Sequence, residues 1–393
     1  MDRTPASQDQ VRRHNLGTLL RLVHVRGATS RSDLTALTRL NRSTVRALTT
    51  ELVSSGVLCE SAPVGRGGAG RPSIQVEPES TRLYVLALDV GVEHLRAMRV
   101  GLGGVVLDRA VLHQAHGDYD VRRTLTRLKG LTRGLLDRAP AGSTCVGIGV
   151  GVCGVVSPDD GLVRFAPNLG WVDVPLGRLL AATLGTSLRI SVGNDGDLGA
   201  RAEHLRGCVT GLSDVVYLSG EVGIGGGIIL GGRPMTGFGG YAGEVGHMSV
   251  NPQGRTCRCG RVGCWETEIG DEAVLLTTGA PAGMDIDGVL GALVEGQTWP
   301  RLGIERVGHW LGVGVVNLVN VFNPQAVVFG GVTRHLFAAT EPQVRAALDG
   351  ALAGPRDQVQ LLLPQLGDDA IALGAAELAF APLLDDPLGV LSA

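Results

Sequence analysis

The chain has 393 residues and a net charge of −3, with 44% hydrophobic and 19% charged residues. That length leaves room for two or three domains, and that balance excludes a disordered chain. No apolar run reaches the length of a membrane span, and the opening MDRTPASQDQVRRHN lacks the apolar core of a secretory signal, so a soluble cytoplasmic protein with no membrane partner is expected.

The charge is unevenly spread. Residues 1–75 hold eleven arginines, no lysine and five acids, a net of +6, which leaves −9 for the remainder. A basic head on an acidic body suggests a polyanion partner for the head alone. Lys129 is the only lysine in the chain, so arginine abundance by itself does not argue for DNA. Residues 11–26 place Leu16, Leu19, Leu20 and Val23 at helical spacing. Ser30, with Asp33 three residues on, matches a capping box and opens a short helix through Thr38. Asn41 caps a second helix, on which Val45, Leu48 and Leu52 share one face, and Gly56 supplies a left-handed stop. Two short helices with a tight turn between them are helix-turn-helix geometry. Residues 57–76 read as two short strands around GRGGAGRPS, where the glycines and Pro72 rule out a helix.

Residues 1–80 are therefore expected to form a winged helix-turn-helix DNA-binding domain, with a linker at 77–82. In that motif the second helix enters the major groove, led by its N-terminal residues. Here those are Arg42, Ser43, Thr44 and Arg46. Arginine reads guanine edges bidentately, and Ser or Thr binds phosphates or base edges. The wing adds Arg66 and Arg71. Gly70-Arg71-Pro72 is similar to an AT-hook core, in which a flat arginine enters a narrow minor groove. A helical protein-docking module is the alternative for the head.

From residue 83 the texture becomes glycine-rich α/β. YVLALDVGV, CVGIGVGVCGVV and LRISVGND read as buried strands, and residues 120–139 as an amphipathic helix. Residues 215–231 open a second strand-rich block, and a helix over roughly 303–321 precedes the strand and glycine turn of NPQAVVFGG. A strand–glycine turn–strand pattern opening both halves predicts two related lobes facing a cleft. They span 83–200 and 201–393, with C-terminal helices returning to the first lobe.

Cys257, Cys259 and Cys264 crowd together after His247, in the spacing H-x9-C-x-C-x4-C, while Cys59, Cys145, Cys153 and Cys208 are scattered. One imidazole and three thiolates form a closed tetrahedral zinc set with no open position for water, so a structural zinc ion is expected. The same stretch, AGEVGHMSVNPQGRTCRCGRVGCWET over residues 242–267, closely resembles the signature of the ROK family of repressors and sugar kinases. Residues 83–380 follow the family order, and the winged head resembles its regulator branch, which includes xylose- and N-acetylglucosamine-type repressors. The resemblance implies a two-lobed actin-like, ribonuclease-H-like ATPase fold, a hexose or related sugar in the cleft, and homodimers or homotetramers.

Carried over by position, the family's sugar contacts fall on Gly154, Asn168, Asn194, Asp195, Glu244, His247 and Glu266. Carboxylates and amides suit a ring of hydroxyls, each of which both donates and accepts. An Asx turn is the plainer reading of Asn194-Asp195. In the family's kinases the residue matching Asp195 is the general base. The phosphate loops point the other way. Where the kinases resemble D-x-G-G-T, the chain has Asp89-Val90-Gly91-Val92-Glu93. Where they resemble G-T-G-x-G-G-G, it has Glu221-Val222-Gly223-Ile224-Gly225-Gly226-Gly227. Both threonines are replaced and a glutamate enters each loop. One carboxylate about 4 Å from a phosphate charge costs on the order of 4 kcal/mol at an effective dielectric of 20. Pro324 and Gly330-Gly331 match the adenosine-side turn.

The expectation is a sugar-responsive transcriptional regulator, in most such cases a repressor, of carbohydrate metabolism. A monosaccharide or derivative in a kinase-like cleft would lower affinity for a double-stranded operator. Zinc is the expected cofactor and ATP is not expected. The alternative is an ATP-dependent, glucokinase-like sugar kinase carrying a DNA-binding head, with Asp195 catalytic.

Overall fold

Ser7 and Gln10 cap one another at the start of the first helix. Ser7 N–H donates to Gln10 Oε1 at 2.9 Å, and Gln10 N–H donates back to Ser7 Oγ at 3.2 Å. This reciprocal pair starts α1 (Gln8–Arg26) three residues before the apolar spacing does. The computed structural model describes residues 7–61, 74–114, 117, 119–157, 160–220 and 222–392. After α1 come β1 (Thr29–Ser30), α2 (Arg31–Thr38), α3 (Arg42–Ser54), β2 (Leu58–Ser61) and β3 (Gln75–Pro78). Ser30 Oγ accepts from Asp33 N–H at 3.1 Å and Asn41 Oδ1 accepts from Thr44 N–H at 2.8 Å, so both short helices begin where their caps sit. Gly56, at φ 75°, turns the chain out of α3. The three strands form an antiparallel sheet in the order β1-β3-β2. Glu77 and Pro78, expected in a linker, instead belong to β3, paired with Cys59 and Leu58. Pro78 ends the strand, where its missing N–H leaves no ladder position unfilled.

The first lobe contains β4 (Leu83–Val90), β5 (His94–Gly101), β6 (Val105–His113), α4 (Val121–Asp137) and β7 (Thr144–Val152). A small antiparallel sheet follows, of β8 (Val155–Val156), β9 (Val163–Ala166) and β10 (Trp171–Val174). Then come α5 (Leu176–Leu184), β11 (Ile190–Asn194) and α6 (Asp195–Arg206). The main sheet runs β6-β5-β4-β7-β11, antiparallel across the first three strands and parallel across the last three. β4 is buried along its whole length, which explains its unbroken apolar run.

The second lobe repeats this order. β12 (Val215–Gly220), β13 (Ile224–Leu230) and β14 (Arg233–Pro234) come first. α7 (Glu266–Ile269), α8 (Asp271–Thr278), α9 (Ile286–Val294) and α10 (Arg301–Phe322) follow. β15 (Ala326–Phe329), α11 (Val332–Leu348), α12 (Ala353–Gln358) and β16 (Gln360–Leu362) complete it. Its sheet runs β14-β13-β12-β15-β16, with the same antiparallel and parallel pairings. The chain then passes into α13 (Ala370–Asp385), packed on β4, β7 and α6 of the first lobe, and ends with α14 (Pro387–Ser392).

α6 lies in the seam between the lobes, touching β12 and β13 on one side and α13 on the other. Its Gly196 allows that approach: a Cβ there would come within 2.8 Å of the Gly226 backbone. The head is not a separate bead. Leu16, Leu20, Val45 and Leu52 share one buried cluster with Phe380, Leu383 and Leu384 of α13. Among the described residues, no helix is long and apolar enough to cross a membrane.

Candidate functional site

The end of β11 builds one wall of a small pocket. Asn194 is its last residue and also the N-cap of α6: Oδ1 accepts from Asp197 N–H at 3.1 Å, and Nδ2 donates to the Gly154 carbonyl at 3.0 Å. Both ends of that amide therefore shape the wall. Gly154 has no room for a side chain, because a Cβ would sit 2.7 Å from Ala166 Cβ and from the Phe165 carbonyl. Asp195 follows, half-buried, with Oδ1 accepting from Gly196 N–H at 2.9 Å. The opposite wall comes from the second lobe. Glu244 and His247 sit around the short turn Val245–His247, and Glu266 opens α7, where Oε2 accepts from Ile224 N–H at 3.2 Å. Gly154, Asn168, Asn194, Asp195, Glu244, His247 and Glu266 all line this one cavity of about 70 Å³. Residues up to 112 positions apart in the sequence thus meet at the mouth of the cleft.

The acids here are crowded. Burial pushes the Glu244 carboxyl up, His247 pulls it partly back, and the Glu266 charge adds to the rise. One turn behind the pocket, burial pushes Asp197 up to about 7, against the pull of Arg201 and with a further push from Glu244.

His247, Cys257, Cys259 and Cys264 form a ring beside the pocket, with ligand atoms all within 4.8 Å of one another. Cys259 and Cys264 Sγ are 3.6 Å apart, and Cys257 Sγ is 3.7 Å from His247 Nδ1. Tetrahedral zinc–thiolate geometry, with bonds of about 2.3 Å, asks for edges of about 3.8 Å, so the four residues fit one metal ion. The other ring nitrogen, His247 Nε2, faces Glu244 Oε2 at 3.8 Å. Trp265, fully buried and next to Cys264, donates from Nε1 to the Trp310 carbonyl at 2.8 Å, tying the loop to α10. Arg258 lies between two of the cysteines and donates from Nη1 to Asn168 Oδ1 at 3.0 Å, joining the second lobe to the first. Neither Trp265 nor Arg258 was marked by the sequence. The only signal for Arg258 was its place inside C-R-C.

A second cavity of about 380 Å³ continues into the cleft, and Asp195 lines both. Here the polar groups hold one another. Asp89, buried, accepts from His94 Nε2 at 2.9 Å, and Arg96 Nη1 lies 3.4 Å away. Arg96 also donates to the Asp368 carbonyl, and Arg334 Nη1 pairs with Asp368 Oδ1 at 3.0 Å. Glu93 and Gly331 line this cavity. Glu221 lies outside the described residues, as do Arg66 and Arg71 of the wing. On the head, Arg42, Ser43 and Arg46 are exposed at the start of α3, and Thr44 is half-buried. Ser43 donates to Asn41 Oδ1 at 2.7 Å.

Comparison with known proteins adds to this geometry. The family model described as ROK family matches residues 85–381. A xylose repressor of Caldicellulosiruptor bescii is 28% identical over 375 residues, covering 91% of this chain and 93% of that protein. The crystal structure of a ROK family transcriptional regulator, described as a homologue of the E. coli MLC protein, superposes with a TM-score of 0.82 at 25% identity, covering 98% of this chain and all of the other. A ROK family glucokinase from Streptomyces griseus, solved with glucose and AMPPNP, superposes with a TM-score of 0.67 at 26% identity over 75% of this chain and 99% of its own.

Proposed function

The chain belongs to the ROK family, and from that premise we propose that it is a sugar-responsive transcriptional repressor acting in the cytoplasm. The observation that carries this is the pocket. Seven side chains and backbone positions suited to hydroxyls surround one cavity, in a chain whose full-length likenesses are a xylose repressor and a ROK transcriptional regulator. A carboxylate or amide that loses its hydroxyl partner is left buried and unpaired, so such a site discriminates strongly between sugars.

The metal is zinc, held by His247, Cys257, Cys259 and Cys264. When bound it cross-links the loop that carries His247 and leads into Glu266. The residues themselves bind and orient: Glu244, Asp195 and Glu266 accept from sugar hydroxyls, and His247 presents Nε2 to the sugar while Nδ1 faces the metal. The head is a winged helix-turn-helix. Arg42, Ser43, Thr44 and Arg46 lead α3 into the major groove, and Arg66 and Arg71 in the wing reach the adjoining backbone or minor groove. Two copies, as a homodimer or within a homotetramer, bind the half-sites of an inverted repeat, and sugar lowers the affinity of that complex.

Fluorescence anisotropy on a labelled fragment from the chain's own promoter tests this. Tight binding is expected, with release by one of xylose, glucose, N-acetylglucosamine or their 6-phosphates. No binding, or binding that ignores all of them, overturns it. The second reading, an ATP-dependent sugar kinase, is favoured by Asp195, which lines both the sugar pocket and the deeper cavity. Against it stand Glu93 and Glu221 and the ion pairs around Asp89 and Asp368. Sugar-dependent ADP release at an enzymatic rate would establish the kinase instead.

A further inference from the structure

The two ends of α6 serve different neighbours. Its first residues, capped by Asn194, stand in the pocket. Its last residue, Arg206, reaches a buried cluster between head and body, about 18 Å away at 1.5 Å per residue over the 12 residues of the helix. Arg206 Nε donates to Glu377 Oε1 at 2.5 Å, Nη1 to the Gly103 carbonyl at 2.6 Å, and Nη2 to the His24 carbonyl at 3.3 Å. His24 lies on α1 of the head and is fully buried. Its Nδ1 accepts from Gly103 N–H at 2.9 Å, while Nε2 lies 2.9 Å from Glu377 Oε2 and 2.7 Å from Arg206 Nη2, so the imidazole touches both partners of the pair. Glu377 belongs to α13 and is 3% exposed. Burial works against its charge, yet His24 and Arg206 outweigh that and hold it down to about 2.

We propose that α6 is the rod through which the pocket acts on the head, with the His24–Glu377–Arg206 cluster as the clasp between rod and head. The inference rests on the reading above, in which the pocket takes a sugar and the head takes DNA. A buried ion pair tolerates little misplacement, because a shifted partner leaves a charge desolvated and uncompensated. Arg206 is also fitted tightly: a Cβ on Gly104 would lie 2.3 Å from its guanidinium. A displacement of α6 therefore either carries α1 with it or breaks the cluster. Such packed contacts pass between discrete arrangements rather than deforming smoothly. On the head side, α1 is pressed against α13, where a Cβ on Gly17 would come within 2.6 Å of the Leu384 carbonyl. A clasp at His24 thus moves the helix on which α3 packs.

Hydrogen exchange on the full chain tests this, with xylose, glucose, N-acetylglucosamine and their 6-phosphates as probes. A sugar that protects residues 194–198 is expected also to change exchange over residues 16–24. In Glu377→Gln the pocket protection stays and the change in α1 disappears. In the same variant, the sugar-dependent loss of operator affinity falls from the roughly 5–150-fold range of ordinary coupling to less than about twofold. An α1 that responds equally in Glu377→Gln, or that stays silent in the wild type while the pocket is protected, overturns the proposal. If no sugar protects the pocket, the functional reading has failed, and the rod is tested without a ligand. Asn194→Ala loosens the start of α6 and must alter exchange in α1, and that effect must vanish when Glu377→Gln is added. Silence there overturns the proposal on its own. Should Glu377→Gln fail to fold, His24→Leu replaces it, leaving the Arg206–Glu377 pair intact while removing every imidazole contact between α1 and the body, so that of the clasp only the Arg206 bond to the residue 24 carbonyl remains.

Discussion

The two sides of the cleft are built on opposite principles. On the proposed sugar side, Asp195, Glu244 and Glu266 gather around a small cavity with no lysine or arginine among the described residues that line it, and burial drives Glu244 and Asp197 toward their neutral forms. On the deeper side, acids and bases are matched: Asp89 with His94 and Arg96, Asp368 with Arg334. Around the small cavity acids from both lobes converge, whereas Asp89 and Asp368 of the deeper cavity face bases. A nucleotide entering the deeper side would have to displace pairs already made, whereas a polyhydroxyl ligand entering the sugar side relieves crowding.

The metal ring is the hardest test of that contrast, since it supports only the sugar side. Cys264→Ser removes a buried ligand from a closed set. Structural zinc contributes on the order of 10 kcal/mol to folding where it has been measured in small domains, so this variant is expected to lose bound zinc, by elemental analysis, and all thermal stabilisation by sugar. Retained sugar binding without zinc would separate the pocket from the ring. Next in size is Asp195→Asn. A hydrogen bond to a charged group contributes about 1.5–3 kcal/mol, so calorimetry should show sugar affinity reduced by roughly ten- to a hundredfold. Unchanged affinity would mean that Asp195 faces the deeper cavity rather than the sugar.

Asp197 tests the crowding itself. Its folded-state value of about 7 lies above its ordinary 3.8. A raised carboxyl favours the fold below its ordinary value, and that contribution is lost as pH rises from about 4 to about 7. Asp197→Asn should therefore melt higher than the wild type at pH 8, and the two should converge near pH 4. Equal melting curves at pH 8 would show that the sugar side carries no unrelieved charge.

The sequence disclosed these features unequally. The candidate metal ring was readable because its four residues lie within 18 positions, in types and a spacing that suit a metal ion. The caps at Ser30 and Asn41 were readable because a cap acts three residues away. The start of α1 was missed because Gln10, which completes the cap on Ser7, lies before the first apolar repeat. The clasp was invisible: His24 and Glu377 are 353 residues apart, and neither a histidine in a helix that also holds His14 and four arginines nor a single glutamate in α13 carries a spacing signal. The matched charges of the deeper cleft were hidden likewise, because Arg96 and Asp368 meet only when α13 folds back across the first lobe.

Arginines bridge the lobes on both sides, and the difference between them yields the smallest effect. Arg258 reaches from the metal loop to Asn168 on the sugar side, while Arg334 holds Asp368 on the other. The Arg258 bond is exposed, so its net contribution is about 1 kcal/mol or less. Arg258→Ala should weaken sugar binding by about threefold, through a loosened Asn168, with zinc content unchanged. Arg334→Ala should leave sugar affinity alone, because its partner does not line the sugar pocket. Calorimetry on both variants decides whether the sides are independent. A sugar defect in Arg334→Ala equal to that in Arg258→Ala would mean that the sugar senses the angle between the lobes as a whole, and that the ion pairs of the deeper side belong to the binding site after all.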